Sequence, residues 1–133
     1  MPEGTVLLVD DDRDTLALYG LILETFGFRV WPAENGRSAL EVAAQHPPDI
    51  VVTDLAMPVM DGVELCERLR SDPSTRAIPI LAVSGQAWNG TDERARRAGC
   101  DEVLLKPCLP DRLVETVGRL LGRRRLRLAA RPI

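Results

Sequence analysis

The alternation of short apolar runs with amphipathic segments is the feature of this chain that most constrains its fold. The first run, TVLLVD, combines β-branched and other apolar residues, a composition typical of a buried strand. The segment after it stops at Gly27 and has apolar residues at helical spacing (Leu16, Tyr19, Leu23 and Phe26), which predicts a helix. Four more strand–helix pairs follow, with strands predicted in FRVWPAEN, DIVVTD, IPILAVSG and CDEVLLK, the first of these shortened by Pro32.

Strands that are apolar along their length and separated by helices predict a parallel sheet covered on both faces. We therefore expect an α/β fold with a doubly wound, five-stranded parallel sheet. The fourth helix is predicted to be capped by Thr91 or Asp92, and the last helix to begin near Pro110. We assign residues 1–122 to one domain and residues 123–133 to a basic C-terminal extension.

Composition argues against membrane proteins, secreted proteins and thiolate metal sites. No apolar run approaches the roughly 20 residues that a bilayer span needs, and no basic stretch precedes the first apolar run as in a signal peptide. The 3 cysteines are odd in number and lack CxxC spacing, which favours free thiols in a reducing compartment. We expect a cytoplasmic protein in which His46, the single histidine, is a solvated residue at a helix end.

The charges are distributed unevenly along the chain. The net charge is −3, yet no acidic residue follows Glu115 and six arginines do. A basic end is a feature of nucleic-acid binding, but no aromatic residue is interleaved there to stack on bases. Arginines at the end of a last helix also complement the helix dipole, so we expect no direct contact with nucleic acid.

Polar side chains stand where four of the predicted strands end. Asp10 and Asp11 follow the first strand, Asp54 the third, Ser84 ends the fourth, and Lys106 follows the fifth. Right-handed crossovers place these ends at one edge of a parallel sheet, where ligands bind. Lys106 is the only lysine in a chain that otherwise uses arginine, which favours a site that needs a compact ammonium.

Three carboxylates that meet at one edge repel each other unless a cation neutralises them. Oxygen ligands favour a hard divalent ion such as Mg²⁺, so Asp10 and Asp11 are the candidate metal-holding pair. Asp54 is a candidate nucleophile that forms an aspartyl phosphate, with the lysine and the serine contacting oxygens of the transferred group. Asp12 or Asp14 fits the acidic first turn of a helix instead.

The chain resembles the receiver domain of two-component response regulators. The segments that carry the resemblance are VLLVDDD, DLAMPVMDG, AVSG and ARRAGCDEVLLKP, together with the spacing between them. The resemblance extends from about Thr5 to about Leu121. It implies a flavodoxin-like (βα)5 fold with strand order 2-1-3-4-5.

The resemblance also implies the roles of the acidic residues. Asp54 would accept a phosphoryl group from a histidine of a sensor histidine kinase or phosphotransfer protein. Asp11 would ligate Mg²⁺ directly, Asp10 mostly through water, and Asp54 and the backbone carbonyl of Ala56 would complete the protein ligands. Beyond transfer to and loss from Asp54, no enzymatic activity is expected.

The remaining implied features concern the switch and its readout. Ser84 would be the switch hydroxyl and Lys106 the phosphate-pairing lysine, followed by a cis peptide bond to Pro107. A downstream protein would bind the face formed by the fourth helix, fifth strand and fifth helix, on a monomer or a weak homodimer. The residues Ala56 and Gln86 occupy positions that influence phosphoryl lifetime in this family.

Two positions depart from the family pattern, and one side chain is unusual. Val103 stands where the family often has an aromatic residue, and Cys108 stands where phenylalanine is common. An aromatic swing at Val103 is therefore excluded as the output signal. Trp88, a bulky residue in the loop after the fourth strand, is either a packing residue or a reporter of the switch.

Three alternatives compete with a stand-alone phosphorylated receiver. One is a receiver fragment of a larger regulator or hybrid kinase, and another is an interaction module that works without phosphorylation. The third is a Mg²⁺-dependent phosphatase of the haloacid dehalogenase type. That family needs a D-x-D-x-T/V motif, and the run Asp10-Asp11-Asp12-Arg13 is not followed by threonine or valine.

Overall fold

The computed structural model describes residues 4–85 and 90–129 of the chain. Within these ranges strands and helices alternate in the predicted order. The strands are β1 (Thr5–Val9), β2 (Arg29–Ala33), β3 (Ile50–Thr53), β4 (Ile80–Ser84) and β5 (Glu102–Leu105). The helices are α1 (Arg13–Thr25), α2 (Gly36–Gln45), α3 (Gly62–Ser71), α4 (Thr91–Arg97) and α5 (Pro110–Ala129).

The strands form one parallel sheet in the order β2-β1-β3-β4-β5, which confirms the predicted fold class and strand order. From β1 the chain first adds β2 on one side and then crosses back to add β3 on the other. The strand order therefore reverses between β1 and β3, the place where ligands bind in open α/β sheets. Asp10 and Asp54 directly follow these two strands.

Two apolar clusters cover the two faces of the sheet. Leu7 and Val9 of β1 belong to the cluster covered by α2, α3 and α4, whereas Val6 and Leu8 belong to the cluster covered by α1 and α5. Side chains of a strand alternate between faces, so a strand buried on both sides must be apolar at every position. This explains the uninterrupted apolar runs of the sequence.

Two local predictions differ from the structure. β2 continues through Pro32 to Ala33; because β2 is an edge strand, the missing N–H of proline interrupts no interior hydrogen-bond ladder. The N-cap of α4 is Gly90, with a left-handed φ of 82°, and not Thr91 or Asp92. The Asp92 carboxylate instead accepts a hydrogen bond from the adjacent amide, inside the first turn.

Helix α5 is the longest helix of the described ranges and begins at Pro110, as predicted. It passes residue 122 without a break and extends to Ala129. Beyond residue 122, Arg124 donates a hydrogen bond of 2.9 Å from Nη1 to the carbonyl oxygen of Asp49. Across residues 4–85 and 90–129, no helix combines the length and the apolar character that a membrane span requires.

Arg70, near the end of α3, joins three segments that are distant in sequence. Its Nε donates to the carbonyl of Gly99 at 3.0 Å, and its Nη1 donates to the carbonyls of Ile78 at 2.6 Å and Arg76 at 2.9 Å. Its Nη2 lies 2.9 Å from Oδ2 of Asp101, and that oxygen also accepts from the first amide of β4. One guanidinium thus fixes the end of α3 to the entries of β4 and β5.

Candidate functional site

The polar residues after β1, β3 and β5 meet at the carboxyl edge of the sheet. Nζ of Lys106 lies 2.8 Å from Oδ2 of Asp10 and 3.4 Å from Oδ2 of Asp54. Asp10 and Asp54 are only 3% and 9% exposed. The buried carboxylates are therefore paired with a cation, and the ammonium lies closer to Asp10.

The charge of Lys106 is favoured by this arrangement. Burial acts to lower the pKa of the ammonium, but the hydrogen bond to Asp10 and the charges of Asp54 and Asp10 outweigh it. The net effect raises the pKa of Lys106 above its ordinary value. The side chain stays protonated at neutral pH and supplies a fixed positive charge between the two acids.

One oxygen atom from each of Asp10, Asp11 and Asp54 lies within 4.8 Å of the other two. Asp11 is exposed while the other two are buried, so the cluster opens to solvent on one side. A set of carboxylate oxygens with an open side fits a hard divalent cation that keeps several waters, as Mg²⁺ does. Within the described residues, this arrangement meets the chemical requirements of the predicted metal site.

Asp12 serves the helix and not the acidic cluster. Its carboxylate accepts hydrogen bonds from the amide of Asp14 at 3.2 Å and the hydroxyl of Thr15 at 2.7 Å, which cap α1. These bonds to Thr15 and Asp14 lower the pKa of Asp12. The Asp12 amide in turn donates to Oδ1 of Asp10 at 2.9 Å, so the start of α1 orients one buried acid.

The carboxylate of Asp54 is held by backbone amides on one oxygen. Oδ1 accepts from the amide of Leu55 at 2.7 Å and from that of Ala56 at 3.4 Å, while Oδ2 faces Lys106. Burial raises the pKa of Asp54, the nearby lysine lowers it, and the charge of Asp10 raises it further; the net direction is upward. The amides orient the carboxylate, while its burial makes the charged form less favourable than in water.

We expect Asp54→Asn to raise the free energy of unfolding at neutral pH in the presence of a chelator. The folded chain has the higher pKa and binds more protons above pH 3.8, so stability falls as pH rises through that range. Asparagine does not titrate, so the variant does not lose this stability. Its excess free energy of unfolding over wild type should shrink as the pH falls below 3.8. Urea unfolding at several pH values measures the difference. A variant no more stable than wild type at neutral pH contradicts the prediction.

The segment after Asp54 packs tightly against the backbone of Asp54 and Leu55. Asp61 caps α3 by accepting from the amide of Glu64 at 2.8 Å. Gly62 follows, and its amide donates to the carbonyl of Leu55 at 2.9 Å. A Cβ at Gly62 would collide with the Asp54 carbonyl oxygen and lie 2.8 Å from Cα of Leu55. The Asp-Gly pair therefore supplies a helix cap and the close approach of α3 to the acid.

The loop between β3 and α3 contains a strained residue. Val59 has φ of 72°, a conformation that β-branched residues avoid. The amide of Met60 donates to the carbonyl of Pro58 at 2.8 Å, which closes a tight γ-turn around Val59. The Val59 side chain is 74% exposed, so packing of its side chain contributes little to compensate the strain.

We expect Val59→Gly to stabilise the chain by about 1 kcal/mol, because glycine adopts positive φ without the Cβ clash. The net gain in the free energy of unfolding is the strain energy relieved minus the cost of the extra backbone entropy that glycine loses on folding. Val63→Gly is the control: in the first turn of α3 the same exchange should destabilise by more than about 1 kcal/mol, because it also removes a partly buried side chain. Equal destabilisation by both changes in urea unfolding would refute the assignment of strain to Val59.

The fourth strand end is set by Ser84, the last residue of β4. Ser84 is 1% exposed, and its carbonyl accepts from the amide of Lys106 at 2.9 Å. The peptide bond between Lys106 and Pro107 is cis, as the resemblance implied. The candidate residues Gln86 and Trp88 lie outside the described residues.

The positions that depart from the family pattern lie near this strand end. Val103 is half-buried and packs against the cluster covered by α2, α3 and α4. Cys108 is half-buried against the opposite cluster. Sequence reasoning missed one contact here: the hydroxyl of Tyr19 accepts a hydrogen bond from the Cys108 amide at 3.4 Å. The pattern marked Tyr19 only as an apolar helix position, and its hydroxyl was the available signal.

Comparison with known sequences gives one family and close relatives within it. The family model described as response regulator receiver domain matches residues 6–118. The polar-differentiation response regulator DivK of Brucella anthropi is 34% identical over 122 residues, which cover 92% of this chain and 98% of the relative. DivK of Brucella ovis is 32% identical over 118 residues, 89% of this chain and 96% of the relative.

Solved structures are consistent with this family match. The chemotaxis response regulator CheY4 of Vibrio cholerae superposes with a TM-score of 0.82 at 29% identity, covering 87% of this chain and 97% of that one. A CheY-like receiver domain protein from Methanospirillum hungatei gives 0.87 at 26% identity, covering 92% and 97%. NtrX from Brucella abortus gives 0.89 at 26% identity and covers all of this chain, which corresponds to 31% of NtrX. With its family match over residues 6–118 and its sheet order, this chain belongs to the response regulator receiver domain family of two-component systems.

Proposed function

We propose that Asp54 accepts a phosphoryl group from a phosphohistidine of a sensor histidine kinase or phosphotransfer protein. The observation that carries this proposal is the setting of its carboxylate. Asp54 lies at the sheet edge and is only 9% exposed. Backbone amides donate to its Oδ1, and the Lys106 ammonium lies 3.4 Å from its Oδ2. A carboxylate with a purely structural role would not need both oriented amide donors and a paired ammonium.

The transfer forms one bond and breaks another. An oxygen of the Asp54 carboxylate attacks phosphorus, and the phosphorus–nitrogen bond breaks with its electron pair returning to the imidazole. Lys106 and Ser84 would contact oxygens of the transferred group, so that positioning and charge neutralisation lower the barrier. Hydrolysis of the aspartyl phosphate by water restores the carboxylate. We propose no activity beyond this self-phosphorylation and self-dephosphorylation.

The acidic cluster would hold Mg²⁺ through Asp10, Asp11, Asp54 and the backbone carbonyl of Ala56. Support comes from the three carboxylate oxygens that lie within 4.8 Å of one another. When bound, the ion supplies positive charge for carboxylates and phosphoryl oxygens that repel each other. Burial, together with the charge of Asp10, raises the pKa of Asp54 despite Lys106, which is consistent with a site that needs a further cation.

The output of the switch would be a protein-binding surface formed by α4, β5 and α5. Its exposed apolar side chains support this assignment: Leu105 is 59% and Leu109 is 73% exposed. They line a shallow cavity of about 410 Å³ together with Val103 and Arg112. Phosphorylation adds negative charge near Lys106, which lies between β5 and α5 in the chain, and would change the affinity of this surface for a downstream protein.

We also propose the domain boundaries, the cellular compartment and the oligomeric state of the chain. The receiver domain would span residues 1–122, with residues 123–133 a basic C-terminal extension. The chain would act in the cytoplasm, in keeping with its free thiols at Cys66, Cys100 and Cys108. It would be a monomer or a weak homodimer without direct contact with nucleic acid.

Incubation with Mg²⁺ and acetyl phosphate, followed by intact mass measurement, tests the function. We expect one added phosphoryl group on wild type, none on Asp54→Asn and none with a chelator. Asp61→Asn is the matched control, because it alters a neighbouring acid that caps α3, and it should still be labelled. An unlabelled wild type would favour an interaction module independent of phosphorylation. Rapid turnover of many phosphomonoesters would favour a phosphatase.

A further inference from the structure

The backbone around Lys106 is held from both sides. Its own amide donates to the carbonyl of Ser84 at 2.9 Å, which ties it to β4. Two residues later, the amide of Cys108 donates to the hydroxyl of Tyr19 at 3.4 Å, which ties the segment to α1. The ammonium that reaches Asp10 and Asp54 thus projects from a segment anchored at two points.

The position of the Tyr19 hydroxyl is set by packing. Tyr19 is 7% exposed and belongs to the cluster that contains Leu104 and Leu113, one residue from β5 and one from α5. Tyrosine has few rotatable bonds, so a buried ring places its hydroxyl with little freedom. Helix α1 begins immediately after the acidic residues, so Tyr19 connects the element that follows the acids with the segment that carries the lysine.

The small side chain of Cys108 makes the hydrogen bond from its amide to Tyr19 more important. A small thiol fills the position after the Lys-Pro pair, and it packs only partly against the cluster. The backbone hydrogen bond to Tyr19 therefore adds to a limited side-chain contact in attaching the segment to α1. Lysine itself has a long, flexible stem, and small displacements of a charged group from its working position reduce rates steeply.

We propose that Tyr19 is a positioning residue for phosphoryl transfer: its hydroxyl anchors the segment after Lys106 and thereby keeps the ammonium between Asp10 and Asp54. The inference rests on the proposed role of Asp54 as phosphoryl acceptor. Tyr19 acts through Lys106 and touches neither the acceptor nor the transferred group.

Tyr19→Phe tests this role, because it keeps the ring and removes only the hydroxyl. With acetyl phosphate and Mg²⁺ we expect the phosphorylation rate constant to fall roughly three- to tenfold. Thr116→Val is the matched control, since it removes a buried hydroxyl that bonds only within α5, to the carbonyl of Arg112. Its rate should stay that of wild type. A Tyr19→Phe rate equal to wild type overturns the proposal.

A double-variant comparison separates positioning from general stability. If Tyr19 acts through Lys106, adding Tyr19→Phe to Lys106→Ala should not slow phosphorylation further. The same fractional loss in both backgrounds would show that the hydroxyl acts independently of the lysine, and would overturn the proposal.

A second readout needs no phosphorylation. The chain has one lysine and 3 cysteines, so isotope labelling of these residue types gives one lysine signal set and few cysteine amides in NMR spectra. In Tyr19→Phe we expect the Cys108 amide to exchange roughly tenfold faster with deuterium and the Lys106 side-chain signals to shift. Thr116→Val should change neither. Unchanged signals in a phosphorylatable chain overturn the positioning role alone, whereas a wild type that takes no phosphoryl group overturns the proposed function.

Discussion

Lys106→Arg should slow phosphorylation of Asp54 by about a hundredfold or more, although it keeps the positive charge. The ammonium is a compact donor that lies 2.8 Å from Asp10 and 3.4 Å from Asp54 while its side chain is only 25% exposed. A planar guanidinium is larger and directs its donors in a fixed fork, so it cannot occupy the same point between two acids. The rate constant with acetyl phosphate, followed by intact mass, measures the effect.

The control for Lys106→Arg is a conservative exchange at an exposed cation of the same sheet edge. Arg13 pairs with Glu34 at 3.0 Å, and its side chain is 84% exposed. Arg13→Lys should leave the rate within roughly twofold, because exposed pairs contribute little. If Lys106→Arg also retains a rate within roughly threefold of wild type, charge alone suffices, and the argument from the geometry of the ammonium is wrong.

Arg70→Ala should lower the free energy of unfolding by about 3 kcal/mol, the largest loss of stability that we expect from one substitution. The change leaves the carbonyls of Ile78, Arg76 and Gly99 without their guanidinium donor. It also removes the cation beside Asp101, at 2.9 Å. Urea unfolding followed by circular dichroism measures the loss.

Arg68→Ala is the control for Arg70, since Arg68 lies two residues earlier in α3. Its bond to Glu64 spans one helix turn at 3.3 Å, with side chains 61% and 47% exposed. Such exposed pairs are worth about 0.5 kcal/mol or less. Similar losses from both substitutions would mean that the contacts of Arg70 to β4 and β5 do not stabilise the fold as described.

The sequence predicts the sheet and its polar edge because both follow from local patterns. A strand covered on both faces must be apolar throughout, so a charged residue such as Asp54 marks its end. Parallel strands then bring those ends together whatever the details of packing. The predicted closeness of Asp10, Asp54 and Lys106 follows from these two rules, and the structure places them within 2.8 to 3.4 Å of the lysine nitrogen.

Other features depend on contacts between distant segments and could not be predicted. The greater closeness of Lys106 to Asp10 and the four bonds of Arg70 arise only when the elements pack. Pro32 remains in a strand because β2 lies at the edge. Tyr19 shows the limit most clearly: helical spacing predicted a buried position, but only the structure shows its hydroxyl beside the Cys108 amide.

The central claim is that the phosphoryl group resides on Asp54. Sodium borohydride reduces an aspartyl phosphate to homoserine, so treatment after labelling with acetyl phosphate and Mg²⁺ marks the acceptor for peptide mass mapping. The account predicts homoserine at position 54 and unmodified aspartate at positions 10, 11 and 61. Homoserine at position 10, 11 or 61, or the absence of homoserine at position 54 after wild type has gained phosphate, would contradict it.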